Sequence, residues 1–445
     1  MGIESLFGFY KIVLDNVFSY YNSYSRVMID YVYLFFHSIF NFLLIVTVFI
    51  SLIYLIMSVY SILPKRKSIK EDEFIEDNAP YVTIQIPTLN EVAAIRCAES
   101  CLGLDYSKNR YEIIIGDDST NPEISMKIDE FAKYNPKIKI SRRGSNAGYK
   151  SGNLNHMINM SKGEFIVIFD SDFIPPKDFL KRIVAPMIHD KNLAAVQARW
   201  KFSNHHQNLV SELGAVILSV YHYITLPFIY NKRKISFLCG SAEAVRKSTL
   251  IKLGGWESGN LTEDIEYSMR LIKNGYSVGY VEGLECEGEV PHKARDLYKQ
   301  QMRWAYGVIS SYKSHWKDLI LNKKISFEDK LYLHIVCSGY LFAVLLAGLT
   351  VAGTLSMITH APAPIDFGKL FSEIGVNILI TSGLIIASII ALVKSRKTAS
   401  VMKAIASSFS YGLVVTYYVN VGIIKAIAKR PMQWFMLEKN SNKTV

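Results

Sequence analysis

At 445 residues the chain exceeds one ordinary domain, and half of it is hydrophobic against 20% charged, a mixture that suggests membrane spans attached to a water-soluble module. The formal charge is +11, from 50 Lys and Arg against 39 Asp and Glu, and the basic residues are scattered, which argues against a nucleic-acid partner. The five cysteines, at 97, 101, 239, 286 and 337, form no Cys-x-x-Cys pair, which disfavours a disulfide framework and a zinc site; Cys97 and Cys101 are expected on one helix face.

Residues 1–20 lack the basic, apolar and small-residue succession of a removable signal peptide. Residues 1–30 mix Phe and Tyr with Lys11, Asp15 and Arg26, the pattern of an amphipathic segment lying in a membrane interface. From Tyr31 to Leu63 there is no Asp, Glu, Lys or Arg, which exceeds the ~20 residues a spanning helix needs. Lys65, Arg66 and Lys67 follow at once, so the rest of the soluble part, 64–325, is expected in the cytoplasm.

There the pattern becomes that of an α/β domain. Short β-rich runs, Val82–Ile86, Tyr111–Ile115, Lys137–Ser141, Phe165–Phe169 and Ala194–Gln197, alternate with helix-like segments, and later strands are expected near Phe237 and at Val278–Val281. Beyond Lys330 apolar runs return at 331–357, 374–393 and 404–424, making a membrane region of two or three spans over 331–427. The hydroxyls and amide of Ser407, Ser408, Ser410, Thr416 and Asn420 leave the last run open between a true span and a partly re-entrant or interfacial segment. A basic tail, 428–445, closes the chain.

The polar groups fall where strands end. Phe165–Phe169 runs into Asp170-Ser171-Asp172, and two carboxylates at the carboxyl end of a buried strand can hold a hard divalent cation against a diphosphate. The first two strands run into Thr88 and Glu91 and into Asp117 and Asp118, which can supply hydrogen-bond partners for a nucleoside. Between Arg143 and Asn155 lies a glycine loop carrying Lys150, whose ammonium suits phosphate. Thr262-Glu263-Asp264 opens a helix and could present a general base, and Gln300, Arg303 and Trp304 lie on neighbouring faces of another.

Taken in order, these pieces resemble the membrane-integrated family 2 glycosyltransferases, the group of cellulose, hyaluronan and β-mannan synthases. The resemblance is carried by Pro87-Thr88-Leu89-Asn90-Glu91, Asp117-Asp118, the Lys150 loop, Asp170-Ser171-Asp172, Phe237-Leu238-Cys239-Gly240-Ser241, Thr262-Glu263-Asp264 and Gln300-x-x-Arg303-Trp304. It implies an α/β GT-A-type domain, a Rossmann-like mixed sheet, fused to transmembrane helices. Thr88, Glu91, Asp117 and Asp118 would bind the nucleoside. Lys150, Asp170, Gln300 and Arg303 would contact the nucleotide sugar, and Asp170 and Asp172 would hold Mg²⁺ or Mn²⁺. Asp264 would be the base, with Cys239, Gly240, Glu263 and Trp304 about the acceptor. Segment 209–230 resembles the family's interface helix. The tail through Trp434, Leu437 and Lys439 resembles its gating segment, with Leu437 where the family carries Thr.

The implied activity is inverting, metal-dependent transfer of a hexose, forming a β-linkage. The donor would be a nucleotide diphosphate sugar, a UDP-sugar ahead of GDP-mannose, and the acceptor a growing polysaccharide. The expected location is the plasma (cell) membrane, with membrane lipid around the spans, no nucleic acid, and a homo-oligomer left open. Two alternatives stand beside it: single addition to a glycolipid or polyprenyl-linked acceptor, and an inactive channel or scaffold subunit.

Overall fold

The computed structural model describes residues 3–63, 79–233, 235–337, 339–359, 366–396 and 401–439. Lys65–Lys67, the acidic linker and residues 440–445 lie outside the described residues. Two compact units divide the chain: Met1–Tyr54 with Leu341–Leu384, and Leu55–Tyr340 with Ile385–Val445.

The second unit is built on a seven-stranded sheet in the order β3-β2-β1-β4-β6-β5-β7. Its strands are β1 (Val82–Thr88), β2 (Tyr111–Asp117), β3 (Ile138–Ser141), β4 (Phe165–Ile168), β5 (Leu193–Phe202), β6 (Glu243–Arg246) and β7 (Ser277–Gly288). The first four pair in parallel; β6 runs antiparallel between β4 and β5, and β7 is parallel to β5. Every residue of β1, β2 and β4 is buried, as a parallel sheet covered on both faces requires. Six of the seven strands fall on runs the sequence marks, and several run further. The run near Phe237 is the exception. Phe237–Ser241 is a loop, turned by Gly240 at φ +87°, and the strand begins at Glu243.

The covering helices are α2 (Ala93–Leu102), α3 (Pro122–Lys133), α4 (Tyr149–Ile158), α5 (Phe179–His189), α6 (Leu209–Val220), α7 (Leu226–Arg233), α8 (Lys247–Lys252) and α9 (Glu263–Lys273), with a π turn at Tyr221–Thr225. Their starts follow local chemistry. The Asn121 side chain accepts from Glu123 N with Pro122 at the first helical position, and Asn208 forms a reciprocal capping box with Ser211 before α6. Cys97 and Cys101 are both buried on α2. Two further helices follow, the long α10 (Ala294–Leu321) and α11 (Phe327–Cys337).

Helix α1 (Ile3–Ile62) is unbroken, so residue 30, expected to divide an interfacial segment from the first span, is no boundary in the backbone. No proline stands in this stretch to break it. Among the described residues four helices are long and apolar enough to cross a membrane: Ser25–Ile62, Leu209–Arg233, Leu341–Thr359 and Val401–Ile427. The most apolar window of Leu209–Arg233 is 83% buried inside the protein, against 11% for Leu341–Thr359, so this helical segment belongs to the α/β unit.

The three apolar runs near the end of the chain are corrected in detail. Leu333 and Cys337 of α11 bury against Tyr230 and Phe237, so the first run divides between α11 and α12 (Leu341–Thr359). The second is two helices, α13 (Phe367–Ile380) and α14 (Gly383–Lys394). The third is one continuous helix, α15 (Val401–Ile427). Its hydroxyls are satisfied within the helix: Ser408 Oγ donates to Ala404 O, Ser410 Oγ to Ala406 O and Thr416 Oγ1 to Gly412 O. Helix α15 lies close along α10 because Gly422 has no side chain; a Cβ there would stand 2.4 Å from Met302 O.

Candidate active site

One cavity opens at the carboxyl ends of β1, β2 and β4, where a sheet of this kind takes its ligands. Thr88, Glu91, Asp118, Lys150, Asp170 and Asp172 line one part of it. Cys239, Gly240, Glu263, Asp264, Gln300, Arg303 and Trp304 line another. Of the residues expected at the site, Asp117 alone is not among those lining the cavity.

Asp117 and Asp118 divide as a consequence of their partners. Asp117 accepts from Ser119 N at 3.0 Å, Ser125 Oγ at 2.7 Å and Arg142 Nε at 2.8 Å. Burial pushes its carboxyl up, but these bonds prevail and hold it below the usual range. Asp118 is gripped through both oxygens by Arg143, at 3.0 Å and 2.6 Å, and keeps a place on the cavity wall. The turn after β1 is tied to this one: Asn90 Oδ1 accepts from Thr120 N and Asn121 N, both at 2.9 Å.

Lys150, in the first turn of α4, is a hub. Its Nζ lies 2.7 Å from Asp170 Oδ1 and 3.4 Å from Glu263 Oε1, and donates to Gly240 O at 2.6 Å. Burial alone would push the ammonium down, but Asp170 and Glu263 hold it well above its ordinary value. Asp170 is anchored through its own N–H to Ser241 Oγ at 2.9 Å.

Asp172 is held on both sides. Its Oδ2 accepts from Glu289 N at 3.1 Å, and its Oδ1 is 2.7 Å from Lys439 Nζ in the tail. The same ammonium reaches Glu91 at 3.1 Å and Ser171 Oγ at 2.9 Å, and the Ser171 hydroxyl donates to Glu91. Glu91 thus sits beside the Asp-Ser-Asp turn. Among the described residues no three His, Cys, Asp or Glu form a metal-holding group. Two carboxylates at a strand end are a partial set of hard oxygen donors; they fit Mg²⁺ or Mn²⁺ when diphosphate and water oxygens complete the sphere.

Asp264 stands in the first turn of α9. Burial first, and the neighbouring Glu263 charge second, push its carboxyl up to about 7, with Lys150 opposing. A buried carboxylate tuned to neutrality can take a proton at physiological pH. Thr262 precedes it without a side-chain cap bond, its hydroxyl buried and unpartnered. On α10, Arg303 Nη1 donates to Leu261 O at 3.1 Å, and Gln300 lines the cavity with its amide oxygen buried and unpartnered.

Two participants are absent from the sequence-level set. Lys439 was placed only within a gating resemblance, and its position beside Asp172 requires the chain to return over more than 260 residues. Glu243, a buried acid between Ala242 and Ala244, accepts from Gly240 N at 2.8 Å and Cys239 N at 3.2 Å. The only sequence signal for it is a lone charge in a run otherwise small and apolar.

The family described as "Glycosyl transferase family group 2" matches residues 165–437, well over half of the chain. The chain belongs to that family. Among curated relatives, glucomannan 4-beta-mannosyltransferase 2 of Arabidopsis thaliana is 30% identical over 280 residues, covering 60% of this chain and 52% of the relative. Glucomannan 4-beta-mannosyltransferase 1 of Oryza sativa subsp. japonica is 28% identical over 297 residues, covering 63% and 55%. This family 2 chain therefore spans about half the length of the curated relatives it matches. A solved mannosyltransferase, PcManGT from Pyrobaculum calidifontis in complex with GDP-Man and Mn²⁺, matches with a TM-score of 0.64 at 16% identity, covering 89% of this chain and 100% of that one. At that identity the likeness concerns the fold, an α/β GT-A-type domain, here carrying helices apolar enough to span a membrane.

Proposed function

We propose that the chain is a membrane-embedded, inverting β-mannosyltransferase that moves mannose from GDP-mannose to the hydroxyl of a growing polysaccharide. The observation that carries the proposal is the convergence of Asp170 and Asp172, Lys150 and the base-like Asp264 on one cavity. The mannosyl specificity rests on the relatives, whose names are glucomannan mannosyltransferases, and on the neighbour bound to GDP-Man, so GDP-mannose displaces UDP-sugars as the preferred donor.

In this mechanism Asp264 removes the proton of the acceptor hydroxyl, whose oxygen attacks the anomeric carbon as the bond to the nucleoside diphosphate breaks. Attack from the opposite face turns an α-linked donor into a β-linkage. Lys150 and Arg303 set positive charge beside the departing diphosphate, Asp118 and Thr88 lie on the nucleoside side, and Gln300 and Trp304 face the acceptor with Cys239, Gly240 and Glu263. A divalent cation held by Asp170 and Asp172 would, when bound, neutralise charge on the diphosphate.

The candidate spans fit a membrane protein, and the expectation of the cell membrane reduces to a membrane whose donor face is cytoplasmic, from Lys65–Lys67 after the first apolar run. Single addition to a lipid acceptor is favoured by one observation: with Leu209–Arg233 buried inside the protein, three candidate spans and the α13–α14 pair remain among the described residues to line a polymer path. The test is incubation of membranes containing the protein with labelled GDP-mannose, UDP-glucose and UDP-N-acetylglucosamine, with and without Mn²⁺, followed by product sizing. Polymer from GDP-mannose is the expected result, a single labelled lipid would select the second, and no product from any donor would sink both.

A further inference from the structure

Glu243 opens β6, the strand that runs antiparallel between β4 and β5, in register with Ile168 and Gln197. It is 1% exposed, and its bonds are spent on the Cys239–Gly240 turn. Gln197 takes Cys239 N as well, at 2.7 Å, and donates to Ser241 O at 2.9 Å, where Trp200 Nε1 also donates at 2.9 Å. The turn contains two left-handed residues, Gly240 at φ +87° and Ala242 at φ +52°. A non-glycine residue in that region is strained and persists only where its surroundings over-determine it.

We infer that Glu243 is a positioning residue of the transfer site, holding the Cys239–Gly240 turn as the thin wall between the Lys150 ammonium and the Asp264 carboxylate. The inference rests on the transferase proposal. With the Gly240 N–H fixed on Glu243, the Gly240 carbonyl is set on Lys150 Nζ at 2.6 Å. The wall has no spare room: a Cβ on Gly240 would stand 3.3 Å from Lys150 Nζ and 3.4 Å from Asp264 Oδ2. A shift of the turn therefore moves the diphosphate-side cation and the base relative to one another, which is the displacement transfer tolerates least. Burial, and next the Asp264 charge, push Glu243 up to about 8, which favours the uncharged acid, and the two N–H bonds it accepts at one oxygen are bonds a glutamine amide oxygen can also accept.

The test compares Glu243→Ala and Glu243→Gln in the full-length protein, by mannosyl transfer from GDP-mannose and by calorimetric binding of GDP. In Glu243→Ala we expect kcat to fall by about 10- to 100-fold, with donor KM and GDP dissociation constant rising about threefold. Glu243→Gln should return kcat to within about threefold of the parent, since the acceptor bonds remain. Parental kcat in Glu243→Ala would overturn the inference, as would a Gln variant impaired as deeply as the Ala variant. If the parent protein transfers no mannose, the transferase proposal fails, and GDP binding then decides: weakening in the Ala variant with recovery in the Gln variant supports the inference, and equal binding in all three overturns it.

Discussion

Asp264 is the residue on which the proposed chemistry turns. Asp264→Asn keeps the shape and removes the base, so kcat should fall by about 10³-fold while GDP affinity changes little, as turnover and calorimetry would measure. The pH dependence has a definite sign. The carboxyl must be ionised to accept a proton, and it is raised to about 7, so kcat/KM should rise with pH, level off above 7 and fall tenfold per unit below it. The adjacent pair Asp117-Asp118 makes a sharper contrast. Asp117 is saturated by Arg142, Ser125 and Ser119, so Asp117→Asn should lower Tm by about 4 °C and leave GDP affinity intact. Asp118→Asn should do the reverse, weakening GDP binding. Asp117, Asp118, Asp170, Asp172 and Asp264 were legible in sequence because each ends or follows a buried strand or opens a helix. Which of two neighbouring acids faces the cavity was not, since that depends on Arg142 and Arg143 arriving from beyond β3.

The tail is the element whose placement bears most on the site. Glu438 pairs with Lys293 and its N–H donates to Asp296 at 3.2 Å, which steadies the strap that carries Lys439 to Asp172. An ammonium there must leave before Asp172 can bind a divalent cation through that oxygen, so the apparent affinity is reduced by the fraction of time the strap stays closed. Lys439→Ala should bind Mn²⁺ about three- to tenfold more tightly than the parent, read by electron spin resonance titration. Equal affinities would remove the competition. Strands with continuous apolar runs were legible element by element, but β6 was not: Glu243-Ala-Val-Arg is short and charged at both ends, and its burial comes from β4 and β5 on either side. The unity of α1 was hidden for the opposite reason, because composition changes at residue 30 while helix geometry does not.

For the whole molecule, composition foretold apolar helices attached to a water-soluble module, since long uncharged runs have few other uses, and the alternation of β-rich and helix-like runs added its α/β character. The division of labour among those runs needed the packing, which buries most of Leu209–Arg233 and leaves Leu341–Thr359 bare. The protein should stay in the pellet when membranes are washed with alkaline carbonate and enter solution only with detergent; release by carbonate would contradict the spanning assignment.

The reversed strand β6 has a consequence for how such a site can diversify. Parallel strands deliver their carboxyl ends and departing loops to the ligand edge, and these carry Thr88, Asp118 and Asp170. Because β6 runs the other way, the segment arriving at it, Phe237–Ser241, reaches the same edge from the opposite direction. Under the proposed function, donor-side and acceptor-side walls would thus be separate stretches of chain, free to vary on independent schedules, so that a lineage could change what it extends while keeping what it spends.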